Sequence, residues 1–426
     1  MQTKLGHTGG RTSRTMVARR VAMVAVASLA LAACGSSKGA DIGAAKSDNT
    51  DLSSVTPAQL QATVTKAFQA DIKVEDLPAE AQDAFKRASL KLTSAQLDKA
   101  FECWKATSCK VGNGSVTLGI ADAFGDNQWR KFSKMELILQ ALTYPKIGKI
   151  ISTNASGDLA KFQSNVRSLG AQGAKAIVTY DDFGAAAIPA FKAVEAQGAK
   201  VSSYVGAVPG AGVDAVTSQV RADACAVGKD MANAVTKELK SSGQIALLNG
   251  TPGNPMGVQW NKCLKDALAS DSTAPKVGTS LDTSWTPAGT FKAASGLVSS
   301  GQDYSAVLAD YADPLPQVVE AYEKAGKATP NLVTWTSNNG LFKAWEKRQG
   351  TDKAFDLYFT NGLNWQARLS VTAVMDALDG KKVPAALVMP QPFVKAVKGV
   401  YQSDRPDDYP GPSVLVPDAL VERMLQ

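Results

Sequence analysis

From Ser115 onward, the chain alternates between short apolar runs and segments in which apolar residues recur at helical spacing. The first runs are Val116–Ala121, Ile147–Ser152, Ala176–Tyr180 and Gln244–Asn249. Short buried strands that alternate with helices of roughly 10–15 residues predict parallel sheets with helices on both faces. Because the series occurs twice along the chain, we predict an α/β fold with two lobes.

The N-terminal segment has the pattern of a bacterial export signal. Its basic residues precede an apolar run at Val21–Leu31, and Leu31-Ala32-Ala33-Cys34 follows. The apolar run is about half the roughly 20 residues of a membrane-spanning helix, so residues 1–33 are predicted to be a cleaved signal. The last four residues resemble a lipobox, which implies lipidation of Cys34 and an extracytoplasmic, membrane-anchored protein. Two alternatives remain open, an ordinary signal with an incidental cysteine and a twin-arginine signal at Arg19-Arg20.

Charge and histidine content exclude several functions. The full chain has 46 basic and 39 acidic residues, and loss of five basic residues with the signal lowers the net charge from +7 to +2. That charge does not predict nucleic-acid binding, which requires a basic patch on the folded domain. The one histidine, His7, is lost with the signal, which excludes Ser-His and Cys-His catalysis and most zinc sites. We therefore predict no enzymatic activity and no cofactor.

Four further cysteines fit an exported protein. Cys103 and Cys109 lie close together, and Cys225 and Cys263 remain as the other pair. An even number in an oxidising compartment predicts two disulfides, although free thiols or a zinc site remain alternatives. Residues 34–50 have the composition of a flexible tether, and residues 51–112 are predicted to be a small helical extension closed by the first bridge.

Aromatic and polar side chains follow the predicted strands at their carboxyl ends, where open parallel sheets bind ligands. Aromatic faces cover the C–H faces of a sugar, and amides, hydroxyls and carboxylates bond to its hydroxyl groups. This mixture favours a neutral polyhydroxylated ligand, although any single tryptophan could instead pack beneath a helix. The candidate residues are Phe124, Asn127, Trp129, Tyr180, Asp181, Trp260, Trp285, Asp310, Tyr311, Trp335, Asn338, Thr360 and Asn361.

The order of these motifs resembles that of a known family. The motifs are VTLGIADAFGDNQW, AIVTYDD, IALLNGTPGNPMGVQW, AVLADYADP and VTWTSNN. They resemble periplasmic binding proteins of the ribose/galactose type, the substrate-binding components of ABC importers for sugars. The resemblance implies two Rossmann-like lobes joined by a three-strand hinge. It places residues 115–221 with 362–390 in lobe 1, and residues 222–361 with 391–426 in lobe 2.

The resemblance also implies which positions contact the solute. The matching positions are Asn127, Trp129, Trp260, Trp285, Asp310 or Tyr311, Thr336, and Thr360 or Asn361. Two charged contacts of the family are missing, since Trp260 stands in place of an arginine and Val205-Gly206 replaces an Asp-Arg pair. Their loss removes charged bidentate clamps, so the identity of the solute is open.

We predict a monomeric solute-binding protein that delivers its solute to an ABC permease after hinge closure. A sugar or polyol is favoured, and a less polar, aromatic-bearing solute is the alternative. A receptor-coupled sensor of the autoinducer or chemotaxis type would have the same fold. A glycosidase that uses Asp181-Asp182 or Asp122 with Asp126 is a further alternative.

Overall fold

The computed structural model describes residues 49–125, 127–206 and 214–426. The predicted signal, the lipidation site Cys34, most of the tether and Asp126 lie outside these ranges. In the described part of the chain, no helix combines the length and the apolar character that crossing a bilayer requires.

Strands and helices alternate through most of the described chain. The strands are β1 (Ser108–Lys110), β2 (Val116–Asp122), β3 (Ile147–Asn154), β4 (Ala174–Tyr180), β5 (Lys200–Tyr204), β6 (Ser218–Ala222), β7 (Gln244–Asn249), β8 (Lys276–Asp282), β9 (Tyr304–Ala309), β10 (Asn331–Thr334), β11 (Leu357–Phe359), β12 (Ala386–Met389) and β13 (Val394–Lys395). The α-helices are α1 (Pro57–Phe68), α2 (Ala79–Ala88), α3 (Ser94–Lys105), α4 (Gln128–Ala141), α5 (Leu159–Ala171), α6 (Ile188–Glu195), α7 (Ala224–Asn233), α8 (Pro255–Ala269), α9 (Pro287–Ser299), α10 (Pro316–Lys324), α11 (Asn339–Glu346), α12 (Gln366–Leu378) and α13 (Asp418–Met424).

The strands form two sheets, one in each lobe. The first has the order β1-β3-β2-β4-β5-β6-β12, and the second has the order β13-β11-β10-β9-β7-β8. Neighbouring strands are parallel except at two edges, where β1 is antiparallel to β3 and β13 is antiparallel to β11. The interior strand β7, which lies between β9 and β8, is buried along Ile245–Leu248, as expected of a strand with helices on both faces. The predicted α/β class with two lobes is confirmed.

The chain passes between the two sheets three times. It leaves the first sheet after β6, returns between β11 and α12, and leaves again between β12 and β13. Helix α12 packs on β4, β5 and β6, which assigns it to the first lobe. These three passages are the hinge segments that the resemblance implies.

The predicted helical extension is part of the core of the first lobe. Strand β1 extends the first sheet, and α2 packs on α12. The rings of Phe68 and Phe85 lie 4.7 and 5.4 Å from that of Trp365, which is fully buried at the start of α12. The extension therefore packs against the point where the second passage enters the first lobe.

The C-terminal tail contacts both lobes, whereas the resemblance places all of it in lobe 2. Its first part docks on α11, where the Asn339 side chain donates to the carbonyl oxygen of Gln402 at 2.9 Å. Farther along, the Leu415 amide donates to Glu136 of α4 at 2.7 Å, and α13 packs on α3. Helix α13 has buried apolar residues that α3 covers, which explains why the chain returns to the first lobe.

Both predicted disulfides are present. Cys103–Cys109 joins α3 to β1 with 5.3 Å between the Cα atoms, and Cys225–Cys263 joins α7 to α8 with 5.2 Å. The first bridge closes the extension onto the sheet, and the second ties together two helices of the second lobe.

We expect Phe68→Ala to lower the unfolding free energy by about 3–5 kcal/mol, because it empties a buried ring position. Unfolding should remain a single transition in urea, followed by circular dichroism and tryptophan fluorescence, since the extension shares its core with Trp365. Val397→Ala, at a side chain that is 66% exposed, should change stability by about 0.5 kcal/mol or less. A separate early transition for the extension would contradict this assignment.

Candidate functional site

A cavity of about 380 Å³ lies between the carboxyl ends of the strands of the two sheets. Seven aromatic side chains line it, namely Phe124, Trp129, Tyr180, Trp260, Trp285, Tyr311 and Trp335. Its polar lining includes Asn127, Arg130, Asp182, Asn254, Asp310 and Thr336. Both lobes contribute to the walls, and the volume is in the range of small-molecule sites.

The wall from the first lobe is built around a buried arginine. Arg130 lies in the first turn of α4, and its guanidinium bonds to Asp122 at 3.1 Å and to Asp182 at 2.6 Å. The guanidinium carbon lies 3.6 Å from the centre of the Tyr180 ring, a cation–π geometry. Burial opposes the charge on Arg130, but the two carboxylates outweigh that cost and raise its pKa. Burial raises the pKa of Asp182, whereas the positive charge of Arg130 lowers it.

The wall from the second lobe is built around Asp310, directly after β9. One carboxylate oxygen accepts a hydrogen bond from the Trp285 indole nitrogen at 3.0 Å, and the other accepts from the Gly250 amide at 3.2 Å. Burial raises the pKa of Asp310 to about 6, although both hydrogen bonds favour the charged form. The described hydrogen-bond donors to this carboxylate are neutral groups.

Backbone geometry places the Trp285 indole against this carboxylate. Ser284 and Trp285 both adopt the left-handed conformation, with φ of 53° and 55°, which costs of order 1 kcal/mol or more at each residue. The indole lies on the backbone of Gly250, where a β-carbon would come within 1.7 Å of its Cε2 atom. Position 250 therefore requires glycine for this indole to reach Asp310.

The structure brings most of the sequence-predicted site residues together. Those that line the cavity are Phe124, Asn127, Trp129, Tyr180, Trp260, Trp285, Asp310, Tyr311, Trp335 and Thr336. They come from six strand ends, at β2, β4, β7, β8, β9 and β10, as expected for parallel sheets.

Four predicted residues do not line the cavity, and each of them makes a hydrogen bond within the protein. Asp181 accepts a hydrogen bond from the Phe183 amide, and Asn338 caps α11. Thr360 accepts from the amide of Thr336. Asn361 lies at the second passage between the lobes, where its side chain bonds to the groups of Gln391, Trp365 and Leu363.

Sequence reasoning missed Arg130 as a site residue. The loss of two charged family positions predicts a cleft without charged clamps, yet a buried arginine with two carboxylates is present on another element. Arg130 follows Asn127, whose side chain caps α4, so the cap directs the first turn and Arg130 toward Asp182. The sequence did contain a signal for this residue. Arg130 lies three positions after the helix-capping residue Asn127, and Asp122 and Asp182 lie at the ends of nearby strands.

Comparison with known proteins identifies the family. Residues 120–382, more than half of the chain, match the family described as periplasmic binding protein domain. No curated protein matches the sequence.

Solved structures share the fold at low sequence identity. An ABC transporter solute-binding protein from Bacillus halodurans C-125 with bound myo-inositol has 18% identity and a TM-score of 0.59, over 66% of this chain and 94% of that one. The arabinose-transporter binding protein of Shewanella sp. ANA-3, bound to L-arabinofuranose, has 17% identity and a TM-score of 0.59, over 66% and 92%. The fructose-binding periplasmic domain of a hybrid two-component system has 18% identity and a TM-score of 0.57, over 66% and 90%. The family and these structures are solute-binding proteins rather than enzymes, as predicted.

We expect Asp181→Asn to raise the unfolding free energy, relative to that of the wild-type protein, more at pH 8 than at pH 5. Burial raises the pKa of Asp181 to about 7, whereas an unfolded carboxyl group ionises near pH 4. Between these values the folded state holds a proton that the unfolded chain has lost, so stability falls as the pH rises. Asparagine can still accept a hydrogen bond from the Phe183 amide but does not ionise. The unfolding free energy of the variant, relative to that of the wild type, should therefore rise by roughly 2 kcal/mol between pH 5 and pH 8. Urea denaturation of the variant and the wild type at both pH values measures this change. The same difference in unfolding free energy between the two proteins at pH 5 and at pH 8 would contradict the expectation.

Proposed function

The chain belongs to the family of periplasmic binding protein domains, and we propose that it is an extracytoplasmic lipoprotein that delivers a small sugar-like solute to an ABC importer. The observation that carries this proposal is the cavity, which is enclosed by aromatic side chains of both lobes. A site of this kind holds a solute without making or breaking a bond.

The chemistry of the cavity supports a polyhydroxylated solute. Indole and phenol faces can cover the C–H faces of a ring, and the Asn127, Asp310 and Thr336 side chains offer hydrogen-bonding groups. Trp335 is buried, and its indole nitrogen has no hydrogen-bond partner among the described residues, so a hydroxyl oxygen of a solute could accept from it. The myo-inositol and L-arabinofuranose bound to two of the structural relatives belong to this chemical class, and a third relative is described as a fructose-binding domain.

Hinge closure is the proposed mechanism. Arg130 and Tyr180 belong to the first lobe and Trp285 and Asp310 to the second, so a solute in the cavity bridges both lobes. A solute that contacts both walls binds the closed form better and shifts the population toward it. The closed form would then dock on the permease, and a lipid at Cys34 would raise its effective concentration there.

A second candidate function is sensing. One structural relative is the periplasmic domain of a two-component system, so the fold also occurs in receptors. Genes for a permease and an ATPase beside this gene would favour import, and a gene for a sensor kinase would favour signalling. A less polar aromatic solute is the alternative ligand, because seven aromatic side chains line the cavity.

We expect Trp285→Phe to weaken solute binding by about tenfold or more, because it removes the indole N–H that fixes the Asp310 carboxylate. Binding of myo-inositol, L-arabinose, D-fructose and D-sorbitol can be measured by tryptophan fluorescence and calorimetry. Trp104→Phe is the matched control, since Trp104 lies in α3 and donates to the Lys131 carbonyl outside the cavity. Equal affinity in both variants would exclude the second-lobe wall from the site.

We expect Cys34→Ala to release the protein from the membrane fraction into the soluble extracytoplasmic fraction. The substitution removes the thiol that carries the lipid. Metabolic labelling with an alkyne fatty acid, followed by fractionation, measures both lipidation and location. Cys103→Ala with Cys109→Ala is the control, because that pair forms a disulfide and should leave labelling unchanged. Labelling of the Cys34→Ala variant would refute the lipidation site.

A further inference from the structure

The two walls of the cavity differ in charge balance. On the first wall, Arg130 is shared by Asp122 and Asp182. On the second wall, the hydrogen-bond donors that the described residues offer to Asp310 are neutral groups, among them the Trp285 indole and the Gly250 amide. Among the described residues that line the cavity, Arg130 is the one cationic side chain. The lining residues Asp182 and Asp310, together with Asp122 as the second partner of Arg130, therefore set three carboxylates against one guanidinium.

The surroundings of Asp310 are aromatic as well as anionic. Trp260, Trp285 and Trp335 all line the cavity, and the first and third are buried. The face of an indole ring carries a negative partial charge and attracts cations, most strongly where water is excluded. An indole N–H that donates to a carboxylate directs its dipole toward that anion and leaves the ring face available to a cation.

We propose that the solute carries a protonated amine, which binds beside Asp310 among Trp260, Trp285 and Trp335. This inference rests on the proposed function and narrows it from a polyol to an amino-substituted polyol. Asp310 is half-buried, and a partly desolvated carboxylate without a counter-ion is unfavourable, so a cation gains more at this position than a neutral hydroxyl group of the same size. The Arg130 wall is already ion-paired, so it serves the hydroxyl groups of the same solute.

The test compares amines with neutral molecules of matched shape. The pairs are D-glucamine with D-sorbitol, an inosamine with myo-inositol, and D-glucosamine with D-glucose, with N-acetyl-D-glucosamine as an uncharged derivative. Calorimetry at pH 7 should show the amine of at least one pair binding about tenfold or more tighter than its neutral partner. Acetylation should remove that advantage.

Two variants assign the preference to Asp310. Asp310→Asn keeps the size of the side chain and removes its charge, so the amine should lose more affinity than its neutral partner, and the ratio of the two affinities should fall to within about threefold of one. Asp181→Asn is the matched control, because Asp181 does not line the cavity, and it should retain the preference.

The outcomes separate this inference from the proposed function. Neutral partners that bind as tightly as their amines in every pair, or an equal loss for both in Asp310→Asn, would overturn the inference and leave the proposed function intact. Failure of every amine and every neutral partner to bind would overturn both. A preference for the amine that survives in Asp310→Asn would also refute the assignment.

Discussion

Parallel strand pairing is the constraint on which the site depends. In each sheet the parallel strands end at the same edge, so the residues that follow them are collected there whatever their distance along the chain. Trp129 follows β2 and Tyr180 is the last residue of β4, whereas Trp285 and Asp310 follow β8 and β9. The three passages between the sheets set these two edges against each other, and the cavity occupies the space between them.

The sequence predicts the strands and helices and the sheet edge at which the site lies. It does not predict which side chains at that edge face the cavity. Asp181 and Asp182 show why, because adjacent residues at a strand end point in opposite directions. Asp181 turns back to the Phe183 amide, while Asp182 reaches Arg130. Asn338 was predicted to face the solute but caps a helix, a role that asparagine fills equally well. Choosing between these roles requires the register and the direction of the following helix, which composition does not encode.

The packing partners of the segments at the two ends of the described chain could not be predicted from the sequence, because these partners lie far away along the chain. The extension meets the first lobe through Phe68 and Trp365, and α13 meets the extension through an ion pair of Arg423 with Asp98 at 2.8 Å. Both segments lie outside the residues that match the family. Together they add a layer beside α12, so the second passage between the lobes enters a more heavily packed core than a lobe of family residues alone would provide.

The charges on the two walls bear on the proposed closure of the lobes. Asp122 and Asp182 exceed the charge of Arg130 on one lobe, and Asp310 lies on the other lobe. Under the proposed hinge mechanism, closure without a solute would bring like charges together in a region of low dielectric, so it would be opposed until hydrogen-bond donors or a positive charge enter the cavity. The groups proposed to recognise the solute would then also disfavour the empty closed form, so that mainly loaded molecules would be presented to the partner.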